Sequence, residues 1–135
     1  MAGKKKAKEL FKRAYDAPNG FKINYCLVGD RYPVEEFIDG LTEEEQNLIM
    51  ALLNLLGDQK GRLSTIKYKC LNINICGMVY EFKIRQIRIA CFTRPDYNYN
   101  LIYGFKKKTN QWPKKHMSNM RANCKLFKEV EEKGI

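Results

Sequence analysis

The chain contains one histidine, His116, and no two of its five cysteines are separated by two residues. A structural zinc site needs closely spaced thiolates or histidines, and Cys70 and Cys76, with five residues between them, match that spacing poorly. No cysteine has a histidine or asparagine motif beside it, which argues against nucleophilic cysteine chemistry. We therefore expect no metal ion and no other cofactor, and we expect the cysteines to be reduced and packed as small apolar groups.

Long apolar segments are also missing. No run approaches the roughly 20 residues needed to cross a bilayer, and the lysines at the start of the chain are not followed by the apolar segment of a secretion signal. Peripheral attachment to a membrane through basic residues would need an apolar anchor, which the sequence does not provide. The sequence thus predicts a cytoplasmic protein that does not act at a membrane.

Positive charge, in contrast, is abundant. Lysine and arginine number 25 against 15 acidic residues, which gives a formal net charge of +10 and a pI near 9.4. A balance of this size predicts an acidic partner, either nucleic acid or an acidic protein. We assign residues 1–19 to a basic leader, a candidate mobile arm in which Leu10, Phe11 and Tyr15 could form a short helical face, and residues 20–135 to a single domain.

Apolar periodicity and turn residues predict five strands and three helices in this domain. The strands are expected at residues 21–28, 66–75, 78–86, 87–94 and 98–105. Pro33 opens a short helix, Thr42 and Glu45 form a capping box for a helix that ends near Gly57, and a third helix follows Pro113. The predicted fold is α+β, with a small twisted, mainly antiparallel sheet of four or five strands, an N-terminal helical hairpin and a C-terminal helix.

The predicted strand from Val79 to Arg85 separates apolar from charged side chains by strict alternation. Its apolar members are Tyr80, Phe82 and Ile84, and its charged members are Glu81, Lys83 and Arg85. Because the apolar face has to meet the helices, the charged face is expected to form an open surface that Arg88 of the next strand joins. Guanidinium and ammonium groups on such a surface can bind a phosphodiester and stabilise the phosphorane formed when RNA is cleaved. A solvated face, with Glu81 paired to Lys83 or Arg85, is the alternative.

A triple-lysine loop between a strand and a helix is the most informative segment. It runs from Tyr103 to Pro113, and its adjacent ammonium groups repel one another unless an anion such as phosphate neutralises them. The predicted RNA-binding residues are Lys106, Lys107, Lys108, Trp112, Tyr103, Lys114 and Lys115. Trp112 has no proton to exchange at neutral pH and can only stack on a base. His116, one helical turn past Pro113, is a candidate general acid or base, with a solvent-facing helix residue as the alternative.

The order of these elements resembles the RelE/ParE toxin superfamily, in particular its phage-derived HigB-like branch. The resemblance rests on an arginine-bearing strand, a strand that ends in Gly104-Phe105 and the lysine run, a proline and a C-terminal helix, and it extends to the first half of the chain only as a pattern of elements. It implies a RelE-like fold and a type II toxin that acts as a ribosome-dependent, metal-independent mRNA endonuclease. Its partners would be mRNA, the ribosome and an acidic cognate antitoxin.

The same resemblance implies that basic residues on the central strands are catalytic, here Lys83, Arg85 and Arg88, with His116 as the proton-transfer candidate. HigB-like relatives commonly carry an acidic residue a few positions after the proline, where this chain has His116, so the acid–base assignment stays open. Two other functions fit the sequence. One is a ParE-like toxin that inhibits DNA gyrase without cutting RNA, and the other is a non-catalytic RNA-binding protein of a phage or mobile element.

Overall fold

A computed structural model describes residues 9–16, 22–58, 68–94, 98–106 and 112–133 of the chain. In chain order, the elements are β1 (Phe11–Asp16), β2 (Lys22–Cys26), α1 (Pro33–Asp39), α2 (Glu43–Asp58), β3 (Tyr68–Asn74), β4 (Met78–Ile84), β5 (Ile87–Arg94), β6 (Asn98–Lys106) and α3 (Lys114–Glu132). Within these ranges no helix is both long enough and apolar enough to span a bilayer.

The strands form one six-stranded sheet in the order β1-β2-β6-β5-β4-β3. All neighbours are antiparallel except β2 and β6, which run parallel. This confirms an α+β fold with a mainly antiparallel sheet and a C-terminal helix. The expected count of four or five strands was wrong because β1 was missed, and the N-terminal helical hairpin is not shown, since two strands precede α1 and α2 and both helices pack on the sheet.

Part of the predicted basic leader belongs to the sheet. Residues 11–16 form the edge strand β1 rather than a helix, with a register shift between Arg13 and Tyr15. This shift lets Phe11 and Tyr15 pack on opposite sides of the sheet. The four-residue spacing of these apolar residues fits a helical face and also fits a bulged strand. Pairing with β2 stabilises the strand rather than the helix. Residues 1–8 and 17–21 lie outside the described ranges. The mobile arm predicted for the start of the chain falls on residues that the structure does not describe.

Two apolar layers cover the two faces of the sheet. The layer under α1 and α2 includes Phe82, with Tyr80 and Ile84 packed against it, as alternation along β4 predicts. The opposite layer lies under α3, whose core-facing residues Met120 and Cys124 are fully buried. All five cysteines are free thiols and four of them are buried, which confirms their expected role as small apolar groups.

Gly104 lies at a close contact between β6 and α1, and we expect Gly104→Ala to destabilise the protein. An added Cβ would lie 2.5 Å from Cδ2 and 2.9 Å from Cε2 of Phe37. Because that ring packs against the sheet, the variant should lose about 1 to 3 kcal/mol of unfolding free energy, as overpacked sites do. Urea denaturation measures the loss. At Gly40 the nearest atom to an added Cβ is 3.6 Å away, so Gly40→Ala is the matched control. Equal midpoints for the two variants would contradict the close contact.

Candidate active site

Two neighbouring rows of residues across the central strands bring part of the candidate site together on the α3 side of the sheet. One row consists of Lys83, Arg88 and Phe105, and the other of Glu81, Ala90 and Tyr103. Trp112 and His116 cover the rows from the start of α3, because both rings contact Phe105. Four of the predicted site residues, Arg88, Tyr103, Trp112 and His116, therefore lie in one cluster.

Arg88 and Glu81 form a buried ion pair beneath Trp112. Arg88 is 4% exposed and Glu81 6%, and Arg88 Nε lies 3.6 Å from Glu81 Oε1. The indole Nε1 of Trp112 donates to the same carboxylate oxygen at 2.6 Å. The prediction of an open charged surface was thus wrong for this pair, because α3 and its leading tryptophan cover it. Sequence alternation placed Glu81 correctly on this face, but nothing local indicated that Arg88 would be its partner.

The Arg88 guanidinium is oriented by backbone carbonyls. Its Nη1 donates to the carbonyl of Arg85 at 2.6 Å and to that of Ile87 at 3.0 Å. Its buried Nε has no hydrogen-bond partner among the described residues. Burial lowers the pKa of Arg88, while the charge of Glu81 acts to raise it. An unpaired buried N–H is costly, and the carboxylate of Glu81, 3.6 Å from Arg88 Nε, compensates for it through charge rather than through a hydrogen bond.

His116 is half-buried and is held by a polar and aromatic network. Its Nδ1 lies 2.6 Å from the Tyr103 hydroxyl, which also accepts a hydrogen bond from Nδ2 of Asn119 at 3.3 Å. The imidazole stacks on Phe105, with ring centroids 4.0 Å apart. Burial, and then the nearby charge of Lys115, lower the pKa of His116, so the ring is neutral near pH 7. Asn119 was not predicted, although its position three residues after His116 places it on the same helix face.

Arg85 lies apart from this cluster. It follows the last residue of β4 and has a φ of 53°, so the alternation that would carry its side chain to the α3 side ends before it. Its guanidinium instead pairs with Glu44 of α2, on the opposite side of the sheet, at 3.0 Å. The structure therefore does not bring Arg85 and Arg88 together as side chains, and Arg85 contributes to the cluster only the carbonyl that Arg88 binds.

Lys106 of the triple-lysine run also turns toward α2. Its Nζ lies 2.8 Å from Oε2 of Glu45, the residue that completes the predicted capping box. That box is confirmed, since the Thr42 backbone N–H donates to Glu45 at 3.0 Å and the Glu45 N–H donates to the Thr42 hydroxyl at 3.2 Å. Hydrogen bonds from Lys106 and Thr42 hold the pKa of Glu45 below its ordinary value. Lys107 and Lys108, also predicted to bind RNA, lie outside the described residues.

Three further predicted lysines border the cluster and are exposed. Lys83 ends the row that contains Arg88, while Lys114 and Lys115 begin α3, whose first turn has no acidic residue. Lysines beside the positive end of a helix are electrostatically unfavourable unless an anion binds there. Across the described ranges, no three histidine, cysteine, aspartate or glutamate side chains lie close enough together to hold a metal ion.

The model of one protein family matches residues 36–125, two thirds of the chain, and its description is phage derived protein Gp49-like (DUF891). The chain belongs to this Gp49-like family. It is a RelE/Gp49 toxin-like family associated with the toxins of toxin–antitoxin systems, which confirms the resemblance at the level of the phage-derived toxin superfamily. The matched residues include Glu81, Arg88, Tyr103 and His116. No curated protein matches the chain.

Proposed function

We propose that this Gp49-like protein is the toxin of a type II toxin–antitoxin pair and acts as a ribosome-dependent mRNA endonuclease of the HigB-like kind, without a metal ion. The observation that carries the proposal is the position of Arg88: a buried guanidinium with one unsatisfied N–H, in the same cross-strand row as exposed Lys83 and one row from Tyr103. A phosphate that displaced the Trp112 ring from above this row would meet a fixed donor and the exposed ammonium group of Lys83. Such an arrangement suits a phosphorane better than a neutral ligand.

Cleavage would proceed by attack of the ribose 2′-oxygen on the adjacent phosphorus. The 2′-hydroxyl gives up its proton, the new P–O bond forms, and the bond to the 5′-oxygen breaks, leaving a 2′,3′-cyclic phosphate and a 5′-hydroxyl. Arg88 and Lys83 would stabilise the additional negative charge of the phosphorane, and the Lys83 ammonium could protonate the leaving oxygen. All the atoms that move come from RNA and from these side chains.

His116 is the proposed general base. Its neutral ring can accept the 2′-hydroxyl proton at Nε2 when its Nδ1–H donates to the Tyr103 oxygen, which has room for this bond and for that from Asn119. The stacked Phe105 ring fixes the imidazole plane. Trp112 and Tyr103, whose ring centroids are 6.4 Å apart, would provide stacking surfaces for unpaired bases.

An acidic antitoxin is the expected protein partner. A chain with a formal net charge of +10 attracts acidic proteins as well as RNA, and an antitoxin that covered the Arg88 row would block cleavage directly. It could add a strand to a sheet edge or lay a helix over the basic residues. We place this pairing, like the ribosome, in the cytoplasm.

Induced expression tests the proposed function. Growth should stop and translated messages should be cut within their coding regions, while expression of His116→Gln should leave most messages intact. Arg31→Gln removes an exposed charge already paired with Glu36 at 2.9 Å and is the matched control. Growth arrest with intact mRNA and altered DNA topology would favour a gyrase inhibitor. Absence of any phenotype would favour a non-catalytic RNA-binding protein.

The pH dependence of cleavage tests the role of His116. Because burial lowers the pKa of His116, the neutral ring persists to lower pH than an ordinary histidine, whose pKa is about 6.5. The cleavage rate should therefore be constant between that value and neutral pH and fall below it, as the ring becomes protonated. Single-turnover rates measured across this range should lose the acidic limb in His116→Gln. The same limb in both proteins would show that another group titrates.

A further inference from the structure

The outer side of α3 carries a row of basic residues, of which only the first, Lys114, borders the proposed cleavage site. Its members are Lys114, Arg121, Lys125 and Lys128, all of them exposed. Spacings of seven, four and three residues place them on one side of the helix. At a rise of about 1.5 Å per residue, the row extends about 21 Å along α3, away from His116.

This row is electrostatically unfavourable for the helix itself. Arg121 and Lys125 are four residues apart and Lys125 and Lys128 three, and like charges at these separations repel each other. In the part of the chain that the structure describes, only Lys128 of the row pairs with a carboxylate, that of Glu132 at 4.0 Å. Some exposed cations elsewhere are neutralised at shorter range, as Lys12 is by Glu35 at 2.6 Å. Because the cations of this row are spaced along a rigid helix, an extended anionic ligand could contact several of them at once.

We propose that this outer row of α3 binds the phosphate backbone of double-helical RNA. The cations lie at fixed separations along a rod, and a duplex presents phosphates that are also held in place. A single strand is bound by aromatic side chains as well as cations, and the exposed side of α3 offers no aromatic ring, because Phe127 is fully buried. The aromatic residues lie instead at the start of the helix, around His116.

The inference goes beyond the proposed cleavage reaction by adding a second RNA surface. One end of α3 would receive an unpaired strand at the Arg88 row, while the outer row holds a neighbouring duplex and sets the orientation of the protein on structured RNA. Duplex binding does not require cleavage. The two proposals can therefore fail independently.

Binding of the full chain to a blunt RNA duplex of about 16 base pairs tests the inference, since a duplex of this length spans two successive minor grooves. Fluorescence anisotropy across a salt series would compare the wild type with Arg121→Gln/Lys125→Gln. Loss of two phosphate contacts should lower the slope of log K against log salt by about 1.4 to 1.8. The matched control is Lys12→Gln/Arg31→Gln, which removes the same charge from two cations paired with Glu35 and Glu36. It should retain the wild-type slope.

Three measurements keep the result interpretable. The double variant should melt at or above the wild-type temperature, because removing both cations relieves repulsion within α3, so weaker binding would not reflect unfolding. His116→Gln should bind the duplex as the wild type does even where it fails to cleave mRNA. The double variant should lose less affinity for an unstructured 16-nucleotide strand and for polyglutamate than for the duplex. An unchanged duplex slope, or equal losses on all three probes, would overturn the proposal.

Discussion

Arg88→Met is expected to slow cleavage about a hundredfold and to lower the unfolding free energy by about 3 kcal/mol. The rate falls because one donor to the phosphorane is lost. Stability falls because the carboxyl group of Glu81, 6% exposed, loses its buried cationic partner. The sequence alone predicts that replacing Arg88 leaves folding nearly unchanged, because Arg88 does not belong to the apolar residues of the sheet. Single-turnover cleavage and urea denaturation measure the two effects separately.

A second variant separates the effect on stability from that on the reaction. Glu81→Gln/Arg88→Met removes both charges and keeps an amide oxygen that can accept the Trp112 N–H, so most of the lost stability should return while cleavage stays slow. Arg85→Met is the matched control for stability, because Arg85 is 62% exposed and its pair with Glu44 should contribute less than about 1 kcal/mol. Recovery of cleavage in the double variant would remove Arg88 from the mechanism.

The sequence predicts those elements of the fold whose signals are local. The strands β4, β5 and β6 follow from apolar periodicity and turn residues, and Thr42 and Glu45 mark the start of α2 through a contact between residues three positions apart. The edge strand β1 could not be recognised, because its conformation depends on pairing with β2 and its apolar spacing also fits a helix.

In the candidate site, too, local sequence patterns predict some side-chain positions, whereas contacts between distant residues could not be predicted. Alternation along β4 placed Glu81 and Lys83 on one face, and the cross-strand partner Arg88 lies on that face too. Arg85 departs because a turn residue with positive φ no longer obeys the two-residue period. The contact of Trp112 with Glu81 joins residues 31 positions apart, and no local pattern encodes it. Burial of Arg88 follows from that contact.

The position of α3 thus determines both the covering of Arg88 and the environment of His116. The helix is fixed at its other end by Arg94, whose guanidinium donates to both carboxylate oxygens of Glu131 at 2.8 Å and to the Cys76 carbonyl at 2.9 Å. Between the two ends, Phe127 contacts rings from two strands. Its ring centroid lies 5.4 Å from that of Phe11 and 5.2 Å from that of Phe92.

Phe127→Ala should therefore lower the unfolding free energy by about 3 to 5 kcal/mol, the usual cost of removing a fully buried aromatic ring. A domain of this size has only about 5 to 15 kcal/mol in total, so the variant should melt far below the wild type and lose cleavage as α3 separates from Tyr103. Leu126→Ala is the matched control, because the neighbouring Leu126 is 45% exposed and its loss should change stability by about 0.5 kcal/mol or less. Circular dichroism during urea denaturation, with cleavage measured on the same samples, gives both quantities. If Phe127→Ala is no less stable than Leu126→Ala, α3 does not unfold together with the sheet, and the site cannot depend on the packing of the helix against it.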